Sequence, residues 1–275
     1  MKAYVFALLA LPALAVAAEE AALEFSVKLG SYQYTENPNF MSLDSLPAYG
    51  LGGAYTIPLD AHQRLRFEGT YTQAKADYKS SQGATKDNSN RYIDLRAFYA
   101  RHFDYGSMDI TPRVGLGYRF LRNVLADIPS VATGYAREST YLYLPVGVEV
   151  RTPTGFYADA EYGYLLKGRQ VSALSPDLEN EQDTGSHIRL SAGYETDIYK
   201  IGPYVDFWRI EQSSTDCAGS TCGYEPKNFT REFGVQLTLK IDTLWHGMGT
   251  PARNHQPLAI SQPYTVVPRG DYPYL

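Results

Sequence analysis

The segment ESTYLYLPVGVEVRTP, Glu138–Pro153, alternates apolar and polar side chains over a longer stretch than a strand of a soluble protein usually spans, which is about 5–6 residues. Successive side chains of a strand point to opposite sides of the sheet. One side carries Leu142, Leu144, Val146, Val148 and Val150, and the other carries Tyr141, Tyr143, Gly147, Glu149 and Arg151. A strand that crosses a bilayer needs about 9–11 alternating residues, so this segment is long enough to cross one.

The same alternation recurs along the chain, most clearly in residues 231–242 and 91–103. Arg101 interrupts the apolar face of the second segment near its end, where a long side chain can reach the membrane surface. The ninth strand is the least regular, because Pro203 and Asp206 disturb its alternation. We predict ten strands, at about residues 23–35, 48–59, 63–78, 91–103, 108–122, 139–152, 155–170, 185–199, 201–213 and 230–242.

The N-terminus indicates export. Met1 and Lys2 precede an apolar run from Ala3 to Leu14, and the small residues 15–18 then offer a cleavage site. We therefore expect a signal peptide at 1–18, a β-barrel at 19–242 and a Pro-rich tail at 243–275. No later segment reaches the ~20 apolar residues of a membrane-spanning helix. The 24 Tyr residues suit strands and membrane interfaces, and the net charge of −5 gives no indication of nucleic-acid binding.

The connections between the predicted strands alternate in length. Short ones lie near residues 60–62, 104–107, 153–155 and 199–200, and long polar ones lie at 36–47, 79–90, 123–138, 171–184 and 214–229. A membrane barrel with both ends in the periplasm has short turns on the inside and long loops on the outside. The pattern therefore predicts an all-β, transmembrane, antiparallel up-and-down barrel of about ten strands, with a soluble β-protein as the alternative.

Residues 232–239, EFGVQLTL, resemble the final-strand assembly signal of outer-membrane β-barrels, with Gly234, Leu237 and Leu239 at its characteristic positions. The region from about 23 to 242 resembles the broad superfamily of porin-like and opacity-like outer-membrane proteins. The resemblance implies folding by the barrel-assembly machinery, location in the bacterial outer membrane, and contact with outer-membrane lipid and lipopolysaccharide. The family's last strand usually ends the protein, whereas here a tail with five prolines follows. This tail is disordered, enters the lumen, or docks a periplasmic partner.

The inward positions of the predicted strands carry charges of both signs. A barrel of ten strands is narrow, so balanced charges are expected to pair across its lumen. We therefore expect the barrel to conduct ions poorly; a narrow water-filled channel is the alternative. The predicted lumen charges, nine cations and eight anions, are Lys28, Arg64, Arg66, Arg96, Arg113, Arg119, Arg151, Arg189 and Lys240 with Glu24, Glu68, Asp94, Glu149, Asp159, Glu161, Glu195 and Glu232.

Few residues suggest chemistry. Cys217 and Cys222 lie close together in the last long connection, where an exported protein most simply forms a local disulfide; a free reactive pair is the alternative. The His residues show no metal-ligand spacing, and no Gly-rich loop precedes a helix, so we expect no metal and no cofactor.

A catalytic site is not expected either. The ten-stranded omptin proteases carry an Asp–His pair and an Asp pair at their outer rim, and Asp183 with His187, or Asp77 with Asp87, occupies comparable places. The omptin Asp and His have one residue between them, whereas here three intervene. Ser186 and His187 are neighbours that face opposite sides of a strand, so they cannot form the Ser–His couple of a lipid A hydrolase.

Two roles are therefore favoured over that of an outer-membrane hydrolase. The first is a structural or small-solute passage barrel with a narrow, charge-lined lumen. The second is a surface-binding protein that acts through its five long loops. Apolar groups in two of these loops either form a recognition surface or fold over the barrel mouth; they are Phe40, Met41, Leu43, Leu46, Ile128 and Val131.

Overall fold

The computed structural model describes residues 22–38, 40–174, 176–219 and 221–241, so the predicted signal peptide and tail lie outside the described residues. Among these residues, no helix is long and apolar enough to span a membrane. The strands are β1 (Ala22–Glu36), β2 (Met41–Pro58), β3 (Gln63–Ser80), β4 (Gly83–Arg101), β5 (Phe103–Tyr105), β6 (Met108–Val124), β7 (Ala136–Arg151), β8 (Phe156–Ser172), β9 (Leu178–Glu181), β10 (Gly185–Glu195), β11 (Tyr199–Ile210), β12 (Asp216–Ala218), β13 (Thr221–Gly223) and β14 (Asn228–Lys240).

Ten of these strands form a closed antiparallel barrel, which confirms the predicted fold. The order around the barrel is β1, β2, β3, β4, β6, β7, β8, β10, β11 and β14. The first and last strands close the ring, in a register that runs from Glu24 opposite Lys240 to Glu36 opposite Asn228. In this seam Gly30 lies directly opposite Gly234, and neither backbone leaves room for a side chain. The short strands β5 and β9 pair with β6 and β8, and β12 and β13 form a separate small hairpin.

Apolar side chains cover the outside of the wall. Val27, Leu95 and Val146 are 39, 48 and 50% exposed, although they are apolar. Exposed tyrosines border this belt towards both ends of the barrel, as expected where an amphipathic ring meets a membrane interface. They are Tyr55, Tyr99, Tyr194 and Tyr199 towards the short turns, and Tyr49, Tyr71, Tyr118, Tyr162 and Tyr164 towards the other end.

The barrel is taller than a bilayer. β4 has 19 residues, and at about 3.3 Å per residue and a tilt of about 40° such a strand rises about 48 Å, against a hydrocarbon core of about 30 Å. The excess lies away from the short turns, where outward positions become polar; examples are Gln73, Arg91, Arg122, Lys167, Arg209 and Arg231. We call this the loop end and the opposite one the turn end.

Two of the predicted long connections are wrong. Residues 37–40 join β1 to β2, and residues 81–82 join β3 to β4, so most of the stretches 36–47 and 79–90 are strand. Apolar and polar residues still alternate in these stretches, but here the apolar side chains face the lumen and the polar ones face outward. Met41, Leu43 and Ala76 are buried inside the barrel. Lys75 and Asp77 are exposed on its outer face. Outside a bilayer the outer face of a strand meets water, so an apolar-out pattern no longer marks the strand.

The irregular ninth strand is continuous from Tyr199 to Ile210, despite Pro203 and Asp206. Proline has no N–H to donate. The ladder between β10 and β11 is interrupted at this point, between the pairs Ser191–Tyr204 and Tyr194–Ile201, so the missing donor falls in a gap. Asp206 points into the lumen, where it is buried and ion-paired.

Candidate functional site

All of the lumen charges predicted from the sequence lie on the inner wall, but they divide between two levels. Asp94, Arg119, Glu161 and Glu232 are at most 4% exposed and belong to a packed layer across the middle of the barrel. The others line a cavity of about 330 Å³ at the turn end, which we call the vestibule. They are Glu24, Lys28, Arg64, Arg66, Glu68, Arg96, Arg113, Glu149, Arg151, Asp159, Arg189, Glu195 and Lys240.

The packed layer, which we call the closing layer, is held by an ion pair that spans the lumen and by a second one between neighbouring strands. Arg119 Nη2 lies 3.1 Å from Glu232 Oε1, and its other terminal nitrogen lies 3.9 Å from Asp94 Oδ2. The Tyr143 hydroxyl donates to Asp94 Oδ1 at 2.8 Å, and that of Tyr92 donates to Glu232. These contacts join four strands across the lumen besides the ladders of the wall: β4, β6, β7 and β14.

A second group in the closing layer surrounds a buried histidine. His187 is 0% exposed, and its Nε2 lies 2.9 Å from Asp206 Oδ1. The Trp208 ring stacks on the imidazole with 4.4 Å between centroids, and Tyr143 meets Trp208 edge-on at 5.0 Å. Arg119 also lies over the Trp208 ring, at 4.9 Å. The two groups therefore form one continuous packed layer, in which charge is stabilised by pairing and by aromatic faces.

Apolar side chains fill the lumen between the closing layer and the loop end. One cluster consists of Tyr32, Tyr34, Met41, Leu43, Ala48, Ala74, Ala76, Tyr92, Leu121 and Leu125. A second consists of Tyr141, Tyr143, Leu165, Trp208 and Ile210. Of the apolar residues in the first and third connections, Met41 and Leu43 thus fold inward, whereas Phe40, Leu46 and Val131 are 45, 80 and 59% exposed.

A third ion cluster fastens the last connection to the loop end. Arg137 Nη1 lies 2.9 Å from Glu36 Oε1, and its other terminal nitrogen contacts Glu225. The Glu225 backbone N–H donates to Ser213 Oγ at 2.8 Å, and the Glu225 carbonyl accepts from the Ser213 N–H at 3.0 Å. Burial raises the pKa of Glu225 to about 7 despite the neighbouring Arg137, and the Glu36 carboxylate adds to the rise.

Several of these residues were not predicted from the sequence. Asp206 and Lys200 are absent from the expected lumen set because the first disturbed a weak strand and the second was placed in a turn. The sequence pattern places four others in loops or at strand ends: His187, Glu36, Arg137 and Glu225. Only the pairing of distant strands brings these groups together. Asp206 could have been found from the sequence, because it lies at an inward-facing position of β11 if residues 199–210 are taken as one strand.

The Asp–His pair considered for catalysis does not form. Asp183 is exposed in the connection before β10, whereas His187 is buried in the closing layer and pairs with Asp206 instead. Asp77 and Asp87 lie on the outer face near the loop end, where both line a groove with Asp44 and Leu46. Ser186 and His187 are successive residues of β10 and have the opposite orientations expected of a strand.

One set of possible metal ligands was not expected. His102, Asp104 and Asp109 lie at the turn end with their ligand atoms within 4.8 Å of one another. Asp104 and Asp109 face each other across the β5–β6 pairing, and His102 Nε2 lies 2.9 Å from Asp104 Oδ1. The spacing in sequence does not reveal the set, because the hairpin creates it. Both aspartates are exposed, and a hydrogen bond between His102 and Asp104 accounts for the shortest contact.

The predicted local disulfide is present. Cys217 and Cys222 are bonded, and they face each other across the β12–β13 hairpin. The hairpin contacts β9, where Asn180 donates its side-chain amide to the Gly223 carbonyl at 3.1 Å. The disulfide therefore closes a small independent hairpin at the loop end and is not part of the lumen.

Residues 4–195 match the family model described as the outer membrane protein beta-barrel domain. The chain belongs to this outer-membrane β-barrel family. A comparison with curated proteins found no match. Location in the bacterial outer membrane follows from the family and agrees with the belt of exposed apolar side chains on the barrel wall.

Solved structures of similar fold are also outer-membrane barrels. The outer membrane protease OmpT of Escherichia coli aligns over 80% of this chain and 96% of its own, with 10% identity and a TM-score of 0.50. The β domain of the Bordetella autotransporter BrkA covers 80% and 100%, with 13% identity and a TM-score of 0.42. Neisserial surface protein A covers 81% and 99%, with 10% identity and a TM-score of 0.34. At 10% identity the likeness to OmpT shows the fold alone.

The closing layer of this outer-membrane β-barrel predicts a large energetic cost for removing Arg119. Arg119→Met leaves Glu232 and Asp94 without their shared cation, and breaking a buried ion pair in this way costs about 3–5 kcal/mol. The double variant Arg119→Met, Glu232→Gln should lose less than the sum of its single variants, because no unpaired carboxylate remains. Urea unfolding of the refolded barrel measures both, with the exposed Arg101→Met as control; a loss below ~1 kcal/mol for Arg119→Met contradicts the ion-pair role.

The Glu225 cluster predicts that acid stabilises the loop end. Its raised pKa means that, between about pH 5 and 7, the folded protein holds a proton that the unfolded chain has lost. Stability should therefore be greatest on the acid side and fall as pH rises through about 7, and Glu225→Gln should flatten this dependence. The rate of proteolysis within residues 211–227, followed from pH 5 to 8, measures it. The exposed Glu181→Gln is the control, and an unchanged pH profile in Glu225→Gln refutes the assignment.

Proposed function

We propose that this protein is a closed outer-membrane barrel that conducts neither ions nor solutes, so that its two ends, and not a through pore, carry its function. The observation that supports this proposal is the burial of the closing layer: Arg119 is 1% exposed, and Tyr143 and His187 are 0% exposed. A water-sized sphere reaches almost none of their surface. Of the roles considered from the sequence, solute passage is therefore the one that this geometry favours least.

We further propose that the loop end faces the cell exterior and the turn end faces the periplasm. Short turns gather at one end with both strand termini, which is the usual periplasmic arrangement. Cationic side chains follow the apolar belt at the loop end, where Arg91 and Arg122 are direct cross-strand partners. Two like charges directly opposite each other repel. Glu138 lies 3.4 Å from Arg122 and offsets part of this charge, and the phosphates of lipopolysaccharide in the outer leaflet offer a further counter-charge at that level.

A hydrolytic role has less support. The solved structure of OmpT shares the fold, but here the candidate His187 is wholly buried below the loop-end apolar clusters and is bonded to Asp206. A general base must come within hydrogen-bond reach of its substrate, and an external peptide has no path to His187.

The loop end supports surface recognition as a second candidate. Asp44 to Ala48 form a bulge in β2, and a groove of about 690 Å³ lies beside it, lined by Leu46, Pro47, Tyr49 and Lys75 among others. The 80% exposed Leu46 is the largest apolar exposure there. If this candidate is correct, cells that carry Leu46→Ser should adhere more weakly than wild-type cells to a surface that wild-type cells bind. Equal adhesion of the two kinds of cell excludes it.

The closed lumen predicts that the refolded protein gives no unitary currents in planar-bilayer recordings, in a bilayer where an open sixteen-strand porin conducts. Deletion of residues 243–275 should leave the barrel silent, because the closing layer consists of wall residues alone. Steady, large currents from the wild type overturn the proposal. Currents that appear only after the deletion assign the closure to the tail instead.

The proposed orientation predicts which segments are accessible on intact cells. An epitope inserted between Ser81 and Gln82, in the turn that joins β3 to β4, should be labelled by antibody without permeabilisation. The same epitope placed after Leu275 should be labelled only after the outer membrane is opened. Labelling of the C-terminal epitope on intact cells reverses the assignment.

A further inference from the structure

The vestibule is a blind cavity that opens at the turn end. The closing layer covers its inner end, and its lining continues into a second cavity of about 340 Å³ at the mouth. The two cavities share six wall residues, among them Arg64, Glu149 and Arg151, and the second also touches the turn residues Asp60 and His62. A solute can therefore enter from the turn end but cannot pass through.

Cations outnumber carboxylates in the lining of the vestibule, nine to five. Arg151 lies 3.2 Å from Glu149 and 3.0 Å from Glu195. Lys200 contacts the same two carboxylates, at 2.5 and 3.9 Å, and Lys240 lies 2.6 Å from Glu195. Three cations thus share two carboxylates, and this group carries a net positive charge.

Arg64 adds a fourth cation that has no carboxylate of its own. Its guanidinium donates to Thr111 Oγ1 at 3.3 Å, and no carboxylate of the described residues lies within 4.0 Å of it. Asp60 and Asp109 place negative charge at the outermost rim of the mouth, where Asp60 accepts the backbone N–H groups of His62 and Gln63 at 2.7 Å, so the excess of cations lies further in.

Lys28 is a second cation without an ion pair, further into the vestibule. Its amine lies over the Tyr204 ring, 4.9 Å from the centroid, and no described carboxylate lies within 4.0 Å. The neighbouring arginines differ in this respect: Arg96, Arg113 and Arg189 are each held by carboxylates of the wall or closing layer, such as Glu161 and Asp206. The vestibule therefore has unpaired cations at two depths.

Unpaired cations in a narrow, low-dielectric space are costly and attract counter-ions. Guanidinium groups suit the oxygens of phosphate, which they bind by charge-assisted hydrogen bonds. A volume of about 330 Å³ accommodates a small anion and its remaining water. We propose that the vestibule binds a small soluble anion of the phosphate class, with at least two negative charges, through Arg64, Lys28 and the Arg151–Lys200–Lys240 group.

The binding geometry does not depend on the closed state of the lumen, but entry from the periplasm rests on the orientation proposed above. Arg64 and Lys28 are the residues to change, because neither leaves a carboxylate unpaired when it is removed. Arg101 is a matched control: it is an exposed arginine at the same end, on the outer face against Phe103.

Isothermal titration of the refolded protein with inorganic phosphate, at low ionic strength in a detergent without phosphate, tests the proposal. Wild type should bind saturably, and more weakly as KCl is added. Arg64→Ala and Lys28→Ala should each weaken binding at least tenfold, whereas Arg101→Ala should not change it; heat-modifiable migration on gels shows that each variant is folded. The absence of saturable binding, or equal weakening by Arg101→Ala, overturns the proposal. A conducting wild type that still binds phosphate refutes the closed lumen and leaves this site in place.

Discussion

The pairing of β1 with β14 is the constraint on which the rest of this structure depends. Hydrocarbon offers no partner for a backbone N–H or C=O group, so a sheet that crosses a membrane cannot keep an open edge. Thirteen residue pairs close the ring here, from Glu24–Lys240 to Glu36–Asn228. Once ten strands are closed, the width of the interior follows, and it lies between a lumen that side chains fill and one that water occupies.

The interior of this barrel contains both outcomes at different depths. Bulky inward groups such as Tyr34, Met41 and Leu43 fill the loop-end half, whereas shorter or charged groups leave the vestibule open at the turn end. The charged closing layer separates the halves. Its groups are stable away from water because nearly all contact an opposite charge, an aromatic face or a hydroxyl, as Arg119 does with Glu232, Tyr92 and Trp208. A packed loop-end half above an open, cationic turn-end half favours binding at each end over passage.

The fold could be predicted to a large extent, and the failures have a common cause. Alternation with apolar residues outward locates every segment in contact with lipid, because lipid demands an apolar face. It fails at 36–47 and 79–90, where the strands leave the membrane and the sense of the alternation reverses. The candidate site shows the same limit. The alternation identifies Arg119 and Glu232 as residues that point into the lumen, but it does not show that they contact each other. The cluster of possible metal ligands at His102 exists only because a hairpin places Asp104 opposite Asp109.

The sequence by itself determined the barrel class, the strand number, most of the inward charges and the Cys217–Cys222 disulfide. Each of these depends on local periodicity or on residues a few positions apart. Only the tertiary structure decided that the charges divide into a sealed layer rich in carboxylates, with Arg119 against Asp94, Glu161 and Glu232, and a vestibule in which Lys28 and Arg64 lack carboxylate partners. A near balance of nine cations and eight anions says nothing about this division, because Coulomb interactions at contact distance depend on which strands face each other across the lumen. That arrangement is set by closure of the whole ring, which no single segment contains.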